Sequence, residues 1–94
     1  MDFEWDERRR QSNIDKHGVD FQLAAPIFEG FVASYVDDRH DYGEERLISL
    51  GMVDDDCYVV VHTERNGIVR IISAWKGGRD ERNQYHADLA GRAS

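Results

Sequence analysis

The chain has 94 residues, 40% of them hydrophobic, and a formal net charge of -7. That length predicts one small domain, residues 1–94, with enough apolar content for a core but little surplus. No apolar run reaches the length of a membrane span, the opening MDFEWDERRR lacks an apolar signal region, and the single Cys57 cannot close an internal disulfide; together these predict a cytoplasmic protein with no membrane association.

The elements read as follows in chain order. Phe3–Trp5 alternates apolar and acidic residues and predicts a short strand. Asp6 is placed as an N-cap for a polar helix over Glu7–His17, ended by Gly18. Asp20 caps a second helix, with Phe21, Leu23, Ala24, Ile27 and Phe28 at helical spacing and Pro26 set to kink it. Phe31–Val36 is a strand, Asp37–Gly43 a polar loop, Arg46–Val53 a strand and Asp54–Asp56 its turn. Cys57–Glu64 and Ile68–Trp75 flank Asn66-Gly67, the strongest hairpin signal in the chain, because both turn residues tolerate positive φ. Gly77-Gly78 breaks the chain before a final helix, Arg79–Leu89. The order β-α-α-β-β-β-β-α predicts an α+β domain: an antiparallel four-stranded sheet with helices packed on one face.

Charge divides the chain unevenly. Residues 1–56 hold six Lys/Arg against fifteen Asp/Glu, a net of -9; residues 57–94 hold six against four, a net of +2. Binding to nucleic acid depends on cations, so the second half is the natural place to seek it. The acidic half equally suits a basic protein partner.

Three stretches, FEWDERRRQSNIDKHGVDF, GEERLISLG, and VVVHTER followed by VRIISAWKGGRDERNQY, resemble the BrnT toxin family in order and spacing over roughly residues 3–86. The resemblance implies a small RelE-like fold and a bacterial type II toxin–antitoxin system. In it the toxin is an endoribonuclease that inhibits translation. It is neutralised by a small ribbon-helix-helix antitoxin (BrnA-like), and operator DNA is bound only through the antitoxin complex. The family usually reads ISARKAT where this chain reads ISAWKGG, so Trp75 stands in place of a cation. A second reading follows from that departure and the acidic composition: a catalytically weak relative that serves as an antitoxin-binding or co-repressor module.

Cleavage of RNA by its own 2′-hydroxyl requires a base, a cation for the phosphate and an acid for the leaving oxygen. Arg65 is the first candidate, a strand-end arginine at a turn; the alternative is a solvated charge pairing weakly with Glu64. Arg70 and Lys76 share strand parity with Ile72 and Ala74, which predicts that they project from one face. Glu45 with Arg46 is a candidate orienting pair, or else a strand-edge pair that aids solubility. His62 is a base or a buried strand histidine. Lys16 and His17 are accounted for by the dipole at a helix end. Arg79, Arg82 and Tyr85 recur along one helical face as RNA contacts, or as a solvated face with Tyr85 as an anchor. Trp75 either stacks on a base or closes the core. The histidines and Cys57 show no metal-ligand spacing, and neither a metal nor a cofactor is expected.

Overall fold

The computed structural model describes residues 1–92. Its elements are β1 (Asp2–Trp5), α1 (Glu7–His17), α2 (Phe21–Ala24), a 3-10 turn (Ala25–Glu29), β2 (Ala33–Val36), β3 (Leu47–Val53), β4 (Asp56–Arg65), β5 (Ile68–Lys76) and α3 (Arg79–Arg92). The local signals behave as their chemistry demands. Asp6 accepts from the backbone N–H groups of Arg8 (2.8 Å) and Arg9 (3.3 Å) at the start of α1. Gly18 closes α1 in the left-handed region, its N–H bonding Ile14 O at 2.8 Å. Pro26 converts the second helix, after four residues, into the 3-10 turn. Asn66 (φ 55°) and Gly67 (φ 77°) make the β4–β5 turn with both residues at positive φ.

The sheet departs from the expected four antiparallel strands. It has five, in the order β1-β5-β4-β3-β2, and is mixed. β1 lies parallel to β5, from Asp2 opposite Ile68 to Trp5 opposite Ile71. No turn signal can announce a pairing of strands more than sixty residues apart, whereas the three antiparallel pairs are neighbours along the chain.

The helices also depart from the one-face expectation. Phe21, Ala24 and Ile27 pack with Val60, Val69, Ile71 and Ala74 on one face. On the other, Tyr85 of α3 packs with Ala33, Leu50 and Val59. β4 therefore reads as the continuous apolar run Cys57–Val61, the pattern of a strand covered on both sides. Gly51 lets the first layer close: a Cβ there would lie 2.5 Å from Ile27 Cβ.

A bulge disturbs β5. Val61 faces Ser73 and His62 faces Ile71, so Ile72 has no partner across the pair. Val69, Ile71 and Ala74 consequently share the first core, although an unbroken strand would put Ala74 opposite the other two. The predicted common face of Arg70 and Lys76 is therefore corrected: the extra residue between them reverses the alternation. Arg70 lies with Ser73 and Trp75, while Lys76 falls with Ala74 and pairs with Asp56 at 3.3 Å.

Candidate functional site

Past Ile71, β5 has no strand on its outer side, and α1 runs along that edge. Asn13, buried at 6% exposure, joins the two. Its Nδ2 donates to Ala74 O (2.7 Å) and Val19 O (2.9 Å), and its Oδ1 accepts from Ala74 N (3.1 Å) and Ser73 Oγ (3.0 Å). The side-chain amide thus serves as one residue of a missing strand and protects the edge. It also fixes the last turn of α1 beside the face that α3 leaves open.

A cleft of about 430 Å³ lies there, lined by Lys16, His17, Arg39, Arg46, Val61, Ile72, Ser73 and Trp75. A second lobe of about 370 Å³ shares Lys16, His17, Ile72 and Ser73 with it and adds Arg8, Arg9, Ser12 and Asn13. The His17 ring lies 5.6 Å from that of Trp75, centroid to centroid, at 37°. Trp75 itself is half-buried against the Leu50–Val59–Tyr85 cluster.

Two of these cations come from the loop between β2 and β3. The Asp37 carboxylate is fully buried and grips the Arg39 guanidinium at 2.7 and 2.8 Å. Arg39 holds that carboxyl down at about 2. The Tyr42 hydroxyl donates to Asp37 at 3.3 Å, and the Arg46 guanidinium lies 3.9 Å over the Tyr42 ring. Arg46 Nε is buried without a hydrogen-bond partner among the described residues, with Glu44 3.5 Å away. Glu44, not Glu45, is thus the acid beside Arg46; Glu45 is exposed.

The remaining candidates fall in several places. Arg65 and Arg70 line a recess of about 170 Å³ with Glu4, Glu44 and Thr63, and Arg70 lies 3.7 Å from Glu4. His62 is only 1% exposed, bonded through Nε2 to Ser49 Oγ (2.7 Å) and edge-on to Phe28, and burial pushes its imidazole below the ordinary range. It is a core residue on the face away from the cleft. Tyr85 is buried, with Phe31 edge-on at 5.7 Å, and anchors α3. Arg82 donates to Asp55 O at 2.7 Å, and Arg79 is exposed at the start of α3. Among the described residues no group of three or more His, Cys, Asp or Glu is placed to hold a metal, and no helix is long and apolar enough to cross a membrane.

Of the cleft residues, Lys16, His17 and Arg39 were not among the candidates read from the sequence, whereas Arg46 was, paired with Glu45. Lys16-His17 carried a signal, two titratable groups before a helix-ending glycine, but capping explained it. Arg39 carried none, because its position depends on a buried aspartate two residues away.

The structure is thus an α+β fold with an open sheet face, on which cations, an imidazole and an indole converge. The family assignment agrees. Residues 5–81 match the model of the family described as "Ribonuclease toxin, BrnT, of type II toxin-antitoxin system", and the chain belongs to that family. No curated protein matches the chain significantly.

Proposed function

We propose that this protein is the toxin of a type II toxin–antitoxin pair and acts in the cytoplasm as a metal-independent endoribonuclease that inhibits translation. The observation that carries the reading is the cleft in which Lys16, Arg39 and Arg46 surround Trp75 on the open sheet face. Arginine forks bind phosphate bidentately, and an indole offers a stacking platform indifferent to base identity. A single RNA strand laid along the face meets Arg39 and Arg46 at one phosphate and Arg65 and Arg70 at another. Arg79 and Arg82 add two further cations at the start of α3, beside Asp80 and Glu81. The family assignment implies a cognate antitoxin. A ribbon-helix-helix protein suits that role, carrying the toxin to operator DNA and keeping RNA out of the cleft.

The test is purified protein with single-stranded RNA, with and without EDTA, alongside induction in cells without an antitoxin. Expected are cleaved RNA, unaffected by EDTA, and arrested growth. Intact RNA at a large molar excess of protein defeats this reading and leaves the catalytically weak antitoxin-binding module.

A further inference from the structure

Four histidines sit in this chain, and the fold separates them sharply. His62 is in the core. His40 packs on Tyr42 at 5.7 Å, and His86 on Tyr85 at 5.2 Å. Among the described residues, His17 is the histidine that lines both lobes of the cationic cleft. It is the last residue of α1, exposed to solvent, and its ring leans on Trp75. Each constraint on it is rigid: Asn13 ties α1 to β5 one turn earlier, Gly18 ends the helix immediately after it, and Trp75 is set in a packed cluster.

Resting on the ribonuclease reading, we infer that His17 is the proton-transfer residue of this cleft, held at working height by Trp75, with the 2′-hydroxyl of single-stranded RNA as its substrate group. The charged and polar groups that line the two lobes with it include Lys16, Arg8 and Arg9 from α1, Arg39 and Arg46 from the β2–β3 segment, and Ser73 from β5, with Trp75 against its ring. No carboxylate among the described residues lines either lobe; Asp37 and Glu44 lie outside both, paired with Arg39 and Arg46. The His17 imidazole is therefore the exposed nitrogen base that both lobes share.

The step balances without a redox partner. The imidazole takes the 2′-hydroxyl proton as that oxygen bonds to the adjacent phosphorus. The P–O5′ bond breaks, and the 5′-oxygen leaves with the bonding pair and takes a proton from water. The imidazolium then returns its proton to the hydroxide. The products are a 2′,3′-cyclic phosphate and a 5′-hydroxyl. Arg46 and Arg39 face the phosphate as its charge grows.

The test uses the full chain as wild type, His17→Asn and His86→Asn, with a single-stranded RNA for cleavage and its 2′-O-methyl analogue for binding. His17→Asn is expected to slow cleavage by about 10²–10⁴-fold, the span of one general base, and to lose the acid limb of the rate–pH profile. It should still bind the analogue, read as quenching of tryptophan fluorescence, and regain activity with added imidazole. His86→Asn should match wild type. If His17→Asn melts early, His17→Gln with the same imidazole rescue replaces it. A His17 variant that cleaves with the wild-type pH profile overturns this assignment and leaves the ribonuclease reading standing. Wild type that binds but does not cleave overturns both.

Discussion

Asn13 on α1 and Ala74 on β5 are joined as two strand residues would be, by one bond in each direction at 2.7 and 3.1 Å. This contact completes the sheet edge and positions the end of α1, so stability and the cleft depend on the same amide.

Replacing Asn13 by Leu keeps the bulk and removes every partner. The Ala74 N–H and C=O and the Val19 C=O become buried without a bond. Each such orphan costs about 1–3 kcal/mol, and with partial relaxation the expected loss is about 2–4 kcal/mol in urea unfolding. RNA cleavage measured well below the midpoint should also fall, because His17 loses its mooring. Unchanged stability would mean that α1 holds to the sheet by other contacts.

Trp75 is the last residue but one of β5, near a strand end that by itself tolerates long side chains. The fold instead packs it against the α3 cluster and His17. Trp75→Arg is therefore expected to lower stability by about 2 kcal/mol, less than loss of a fully buried aromatic, and to abolish fluorescence quenching by the 2′-O-methyl RNA. A melt beside a binding titration checks both; an unaltered melt with tighter, fully active RNA cleavage would contradict the packing argument.

Arg65 is exposed and lines the recess with Arg70, Thr63, Glu4 and Glu44 rather than the larger cleft. Its expected role is a grip on a phosphate neighbouring the cut. Arg65→Ala should weaken RNA binding and reduce the slope of log K against log salt by about 0.7, one phosphate on a single strand. Its melting should not move, since few contacts are lost. A salt titration decides: an unchanged slope removes Arg65 from the interface.

Acid should weaken the fold in two windows. The buried His62 has its pKa lowered by burial from 6.5, so the unfolded chain takes up a proton first, and stability present above the ordinary histidine range falls as pH drops through it. Asp37 is lowered from 3.8 to about 2 by Arg39, so its contribution is present above 3.8 and lost as pH falls toward about 2. Urea midpoints against pH should show both losses, with His62→Gln flattening the upper window and Asp37→Asn the lower. Survival of the lower loss in Asp37→Asn would assign it to other carboxylates.

Residues close in sequence carried much of this protein in plain view. Asp6, Gly18 and Asn66-Gly67 set the ends of α1 and the β4–β5 turn through their own backbone preferences and side-chain bonds. The run Cys57–Val61 marked a buried strand through its hydrophobicity, and the motif spacing reached the family. Tertiary structure alone decided the parallel β1–β5 pair, the move of α3 to the second face and the bulge at Ile72 that separates Arg70 from Lys76. It also assembled the candidate cleft, because Lys16 and His17, Arg39 and Arg46, and Trp75 come from three segments that meet only when the sheet forms. Caps and turns are fixed by energies acting over a few residues. Pairing across sixty residues, and the faces left open by it, depends on how the whole apolar surface is buried at once.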